Sequence, residues 1–383
     1  MKKLLLVIVL VLIAFGWWYF HQRALPDYGP AYREYAYVTN GGSNSVSVID
    51  LRTFQLAKTI PVGMDPTGVA ANNKKNEIYV VNTDSNNVSV IDAERNEVVA
   101  TIGVHGKPYF IDTSADGKRA YVANSGSSNV SVINLEKRAV VATIQVGKSP
   151  GLARVSPDGN TVIVSNRGDN TVTEIDAEKL NVRGSIPVCQ QPEDIVILPD
   201  NSKAFVACTG SAQVAAIDLK SATLLALLDV GKTPVHLAMK PDGGEIMVSN
   251  FDSASISILE TTTNEVSGSY LVGEQPARGV VTGDNSRLYI SNFGSDAIAV
   301  YDIDLGKLIA SITVGSKPDG LALSQSQNYL LVLDSASGDV TVIQKRQATK
   351  LEPTEYSLLT MIPVGAQPNA LVIKSFVLPA AVK

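Results

Sequence analysis

Short stretches of alternating apolar and polar residues recur in sets of four along the chain from residue 36 onward. One set is PGLARVS (150–156), TVIVSN (161–166), TVTEID (171–176) and VRGSIPV (182–188). Each alternates with a period of two and is rich in β-branched residues, the pattern of a half-buried strand. Turn sequences such as PDGN and RGDN separate the stretches. No segment sustains the 3.6-residue period of an amphipathic helix.

The sets are copies of one another. AYVTNGGSNSVSVID at 36–50 returns as IYVVNTDSNNVSVID at 78–92. The Asn that closes YVTN recurs in steps of 42 residues at Asn40, Asn82, Asn124, Asn166, Asn250 and Asn292, with Cys208 and Asp334 in its place twice. A proline keeps the same beat from Pro66 to Pro318 and returns eight residues late at Pro368. Four antiparallel strands per repeat of this length describe a β-propeller blade. A lone blade cannot bury both of its faces, so the units must pack around a common axis. Within a repeat the order is a proline-led inner strand, the YVTN strand, the VSVID strand and an outer strand. The chain opens at YVTN and closes with an extra inner strand, NALVI (369–373), which would complete the first blade and seal the sheet edges. The expected fold is therefore all-β, an eight-bladed β-propeller of four-stranded repeats, with seven blades as the alternative. The excess residues fall in KRQATKLEPTEYS, read as a longer loop.

These repeats resemble the YVTN-family β-propellers over residues 36–373. That resemblance implies the fold and says little about function, because propellers host many activities. Seven is the usual blade number in that family. The repeats are also distantly similar to the eight-bladed cytochrome d1 domains and their relatives in d1-haem biosynthesis.

The first twenty residues, MKKLLLVIVLVLIAFGWWYF, place two lysines before an apolar run from Leu4 to Phe20, with Trp17, Trp18 and Tyr19 at its end. Such a run reaches the lower limit for a membrane span, and the aromatic residues suit the interface. A cleaved signal peptide is the alternative reading. Either way the chain is expected to be exported to the periplasmic or extracytoplasmic side. The expected organisation is an anchor or signal at 1–20, a linker at 21–35, the propeller at 36–373 and a tail at 374–383, with residues 4–20 contacting membrane.

Charge and motif content narrow the chemistry. The chain is acidic, with 32 Lys and Arg against 37 Asp and Glu, and has no basic cluster, which argues against nucleic acid as a partner. No dinucleotide fingerprint, phosphate loop, nucleophile elbow or HExxH occurs. His21, His105 and His236 are the only histidines, too few and too scattered for a multi-histidine metal site. No metal is expected and the cofactor is left open.

Departures from the repeat carry the remaining information. Two residues after successive prolines stand Asp194, His236 and Arg278, near the channel mouth by propeller geometry. Asp112 and Arg154 lie two residues deeper, while Tyr109, Glu193, Asp319 and Asn369 would form a rim. One reading is a polar ligand pocket, with His236 as ligand or proton carrier, the arginines holding an anion and Asp194 orienting the imidazole. The other is a set of inter-blade ion pairs and hydrogen bonds that satisfy only one another. Arg167, Phe251 and Phe293 would face the same side. Cys189 replaces a repeat glycine and Cys208 a repeat asparagine at the top of one blade. They are expected to form a disulfide, with a metal or redox thiol pair as the alternative.

Three functions compete on this reading. The first is an exported binding or scaffolding module for a protein, glycan or small molecule. The second, implied by the cytochrome d1 resemblance, is a haem or other tetrapyrrole-binding protein, with His236 on the metal and Arg154 and Arg278 on the carboxylates. The third is a propeller lactonase or lyase using Asp194, Glu193, His236 and Arg278.

Overall fold

The computed structural model describes residues 29–346 and 355–378. The expected membrane segment, residues 21–28 of the linker, most of the longer loop and the last five residues lie outside the described residues. Among the described residues, no helix is long and apolar enough to cross a membrane. Residues Glu34–Ser375 form one compact unit.

That unit is built from eight four-stranded antiparallel sheets, so the blade number is eight rather than seven. Numbering strands in chain order, blade 1 comprises β1 (Tyr32–Asn40), β2 (Ser45–Asp50), β3 (Gln55–Pro61) and β32 (Pro368–Val377), in the order β3-β2-β1-β32. The last strand thus completes the first sheet. Thr39 Oγ1 donates to the Ala370 carbonyl at 3.2 Å, which fastens the two chain ends. The inner strands of blades 2 to 8 are β4 (Pro66–Ala71), β8 (Pro108–Thr113), β12 (Pro150–Val155), β16 (Pro192–Ile197), β20 (Pro234–Met239), β24 (Pro276–Val281) and β28 (Pro318–Leu323). Each packs beside its neighbour around the channel.

The repeated words have physical jobs. In YVTN the small and β-branched residues are fully buried, and they pack against the adjacent blade rather than within their own sheet. One cluster joins Val81 and Val90 of blade 2 to Ile111 and Val122 of blade 3; another joins Leu331 and Val342 of blade 8 to Val38 and Ile49 of blade 1. The core is therefore inter-blade, which is why one repeat cannot stand alone.

The closing Asn is buried and reads the serine of VSVID. Asn82 Nδ2 donates to Ser89 Oγ at 2.9 Å, Asn124 to Ser131 at 2.9 Å, Asn166 to Thr173 Oγ1 at 2.9 Å and Asn250 to Ser257 at 3.0 Å. It also packs against a glycine at the entrance to the inner strand. A Cβ on Gly147 would stand 2.6 Å from Asn166, and one on Gly231 2.6 Å from Asn250. Blade 5 changes all three partners together: Asn becomes Cys208, the glycine becomes Cys189 and the serine becomes Ala215. The two sulfurs are bonded, with Cα atoms 5.7 Å apart.

Blade 8 keeps the glycine but substitutes Asp334 for the Asn. Asp334 is fully buried and accepts from Thr341 Oγ1 at 2.6 Å. Burial, with the neighbouring Asp339 carboxyl adding to it, pushes its pKa up from the ordinary carboxylate range to about 8. The folded state therefore binds a proton that the unfolded chain has released. Its stability on this account is intact below about pH 4 and is eroded as pH rises toward 8. Asp334→Asn restores the repeat residue and removes the erosion. The variant is expected to gain roughly 1–3 kcal/mol over the parent at pH 8.5, and much less at pH 4. Urea melts at the two pH values check this, and an equal gain at both would contradict it.

Candidate functional site

The inner strand of each blade has one free edge, turned toward the next blade around the channel, and its backbone groups need partners. Side chains of the preceding blade supply several. Asp112 Oδ2 on β8 accepts the Val155 N–H of β12 at 3.0 Å, and Asp194 Oδ2 on β16 accepts the Leu237 N–H of β20 at 2.9 Å. His236 on β20 continues the series: its Nδ1 accepts the Gly279 N–H of β24 at 3.1 Å. Hydroxyls treat the carbonyls likewise, Ser165 Oγ donating to Glu193 O and Ser291 Oγ to Asp319 O, both at 2.8 Å. Asp112, Asp194 and His236 thus stitch one blade to the next.

This engagement fixes the tautomer of His236. A backbone N–H can only donate, so Nδ1 carries the lone pair and Nε2 carries the proton. The Nε2–H faces Asp194 Oδ2 at 3.7 Å, too long for a strong hydrogen bond. Gly279, rather than Asp194, orients the ring. Burial, opposed by Asp194 but reinforced by Arg278 and Arg154, lowers the imidazole pKa to about 4. His236 is a neutral donor at physiological pH.

The arginines are placed differently. Arg154 lies over the Phe110 ring, 4.6 Å from its centre, with Nη2 3.9 Å from Asp194 Oδ1. Arg278 places Nε 3.5 Å from Asp319 Oδ1. Both contacts are longer than a charge-assisted hydrogen bond, so among the described residues neither guanidinium donates one to protein. Their side chains are 37% and 45% exposed, toward the channel. Burial opposes the charge on Arg278, yet Asp319 and Asp194 outweigh it and hold the guanidinium above its usual pKa.

The rim is a second layer. Arg167 stacks on Tyr109 at 4.5 Å and reaches Glu193 Oε2 at 3.3 Å, linking blades 3, 4 and 5. Burial pushes the Glu193 carboxyl up against the pull of Arg167. Burial likewise raises Asp112, although Arg154 and two backbone N–H groups pull the other way. Asn369 is spent on structure, its Nδ2 on the Pro66 carbonyl at 2.8 Å. Phe251 and Phe293 pack against each other at 5.9 Å, with the Lys317 ammonium over Phe293. His105 stands apart, its Nε2 on Thr143 Oγ1.

A cavity of about 520 Å³ opens here, lined by Tyr109, Asp112, Arg154, Glu193, Asp194, His236 and Arg278 among others. Of the channel-mouth and rim residues read from the sequence, these seven and Asn369 line one cavity, and Asp319 is not part of its lining. The Arg167–Tyr109 stack and the apolar wall across from Arg154 were not anticipated. The signal for the wall was present in the runs VAA, GLAL and ALVI after three of the prolines, which read as ordinary strand. No group of three metal-ligating side chains occurs among the described residues.

Comparison with known proteins fits this architecture. A YNCE-like β-propeller family matches residues 7–155, and a lactonase, seven-bladed β-propeller family matches residues 111–228 and 263–364. No curated protein matches significantly. Among solved structures, hydrazine synthase of Kuenenia stuttgartiensis is 21% identical with a TM-score of 0.60, covering 74% of this chain and 97% of its own. Dihydro-heme d1 dehydrogenase NirN in complex with DHE is 14% identical with a TM-score of 0.73, covering 88% and 74%. A functionally unknown protein from Desulfotomaculum acetoxidans DSM 771 is 16% identical with a TM-score of 0.58, covering 88% and 98%. At these identities the structural likenesses speak for fold alone. With more than half of its length matched by one family, the chain belongs to the lactonase-type β-propellers, and has eight blades where that family's description gives seven.

Proposed function

We propose that the protein is a binding module that takes a small anionic molecule at the mouth of its channel. One observation carries the reading: Arg154 and Arg278 flank a neutral His236 and direct unspent guanidinium donors into a cavity of small-molecule size. The carboxylates nearby have other work. Asp112 and Asp194 hold backbone N–H groups, and Glu193 is held by Arg167. His236 adds a further donor through Nε2–H. The Cys189–Cys208 bond supports an oxidising, extracytoplasmic location for this activity. Anchoring through residues 4–20 belongs to the same proposal, as does a protein or glycan partner docking on the channel-mouth face around Phe251 and Phe293.

The direct test is calorimetric titration of benzoate into the full chain at low salt. Each arginine is worth roughly 1.5–3 kcal/mol of charge-assisted hydrogen bonding, so Arg278→Gln should weaken binding by about tenfold or more. Equal affinity in Arg154→Gln, Arg278→Gln and the parent would end the reading.

The family's description raises lactone turnover as a second reading. In this site His236 has no free lone pair to act as base, which leaves Glu193, whose raised pKa is suited to proton transfer. Lactone hydrolysis lost in Glu193→Gln but kept in His236→Ala would favour it. A tetrapyrrole fits the arginines but not His236. An imidazole that binds iron through Nε2 carries its proton on Nδ1, and there it would oppose the Gly279 N–H. No Soret band that depends on His236 is expected on adding haem.

A further inference from the structure

We infer that the anion is a carboxylate borne on an apolar body, an aryl or alkyl acid, lying across the channel with its head toward Arg154 and Arg278. This rests on the binding reading above and names the class of ligand. The channel wall has two unlike halves. In a ring of eight, blades 8, 1 and 2 stand across from blades 4, 5 and 6. The second group carries Arg154, Glu193, Asp194 and His236, and Arg278 stands beside His236 on blade 7, at the border with the apolar group. The first offers Leu321, Ala370, Leu371, Val372, Val69 and Ala71, all only partly buried and all lining the same cavity.

Most polar residues on the apolar side are already engaged, Thr67 with Thr83 and the Tyr109 carbonyl, while Asn73 is exposed at its edge. Asn369 is tied to Pro66 O and Thr39, and Asp319 stands 3.5 Å from Arg278 Nε, a contact that leaves both side chains without a direct hydrogen bond to each other. At the far end of β32 the Lys374 ammonium rests on the Asn72 carbonyl, and burial lowers its pKa. A compact dianion would leave the apolar arc facing water. A neutral hydrocarbon would leave the arginines facing nothing. Only a ligand with one acidic end and one apolar end satisfies both halves, and a cavity of about 520 Å³ accommodates a bicyclic acid.

The experiment is a calorimetric series on the full chain: acetate, succinate, benzoate and 2-naphthoate, with 2-naphthalenemethanol as the uncharged control. Affinity should rise from acetate to benzoate to 2-naphthoate by roughly tenfold or more per step, as buried apolar area grows. Arg278→Gln should weaken 2-naphthoate by at least about tenfold and leave the alcohol unchanged. Val69→Asp should abolish the advantage of 2-naphthoate over acetate. Val69→Thr, which keeps the side-chain shape, should reduce that advantage if the aspartate variant does not fold. Lys374→Gln should leave 2-naphthoate unaffected, because the head lies at the other end. Succinate or acetate binding as tightly as 2-naphthoate would overturn this inference while leaving the anion site in place. Failure of every carboxylate to bind at millimolar concentration would overturn the binding reading itself. Loss of affinity in Lys374→Gln, with none in Arg278→Gln, would reverse the orientation and so overturn the inference.

Discussion

A chain ending at residue 367 should fail to reach a cooperative folded state. Removing residues 368–383 takes away β32, the fourth strand of blade 1 and its inner edge. β1 then exposes a full row of unpaired backbone groups to the channel. The cluster between blades 8 and 1 loses Leu371 and Ile373, which pack against Val38 and Leu333. Each large aliphatic side chain uncovered costs roughly 1.5–3 kcal/mol, and folded domains hold only about 5–15 kcal/mol in all. The deficit from several such groups, together with the lost ladder, exceeds what the remaining seven blades hold in reserve. The expected result is a broad, non-cooperative melt and aggregation through the open edge. Circular dichroism with size-exclusion chromatography checks it. A sharp melt within a few degrees of the parent would show that closure is dispensable.

The second large effect concerns blade 5. Reducing Cys189–Cys208 opens a loop whose ends are 19 residues apart in sequence. Loop entropy puts that at roughly 3 kcal/mol. The cost should be higher in Cys208→Ala, because a buried void then faces an unpaired Cys189 where other blades carry the matched glycine and asparagine. The triple change Cys189→Gly, Cys208→Asn and Ala215→Ser rebuilds the pattern of blades 2 and 6. Its melting temperature is expected to be independent of reductant and to lie above that of the reduced parent. If the triple variant melts no higher than Cys208→Ala, then the three positions do not form the unit described here. The same bond steadies the loop that leads into Glu193 and Asp194, so reduction should also lower affinity at the channel mouth.

Much of this architecture was legible in the chain itself, because the repeat writes its physical requirements over again in most of its blades. A buried Asn with a serine or threonine and a glycine beside it recurs at fixed intervals, although Asn124 meets His105 in place of the glycine and Asn292, beside Ala299, donates to the Val272 carbonyl instead. The joint exchange at Cys189, Cys208 and Ala215 shows how a departure from the rule announces a new bond. The blade number followed from where the chain enters and leaves the repeat. The chemistry at the mouth was less legible. Asp194 and His236 stand at equivalent positions after their prolines, which identified them as channel residues. Their partners depend on the stagger between adjacent inner strands, which sets the backbone N–H of the residue 43 positions later against each side chain. That stagger delivers the Leu237 and Gly279 N–H groups to their side chains, so residues that resemble a proton relay act as blade connectors instead. The arginines, longer and without such a backbone partner, are the ones left facing the channel. The apolar arc escaped notice for the opposite reason: alternating Val, Ala and Leu is what every strand in the chain looks like.

The most direct test of the channel-mouth account is a crystal structure of the full chain with 2-naphthoate at a concentration well above its dissociation constant. The account expects the carboxylate within hydrogen-bond distance of the Arg154 or Arg278 guanidinium and the rings against Val69 and Leu371. A ligand seated outside the channel, or one whose carboxylate points to the apolar arc, would contradict it.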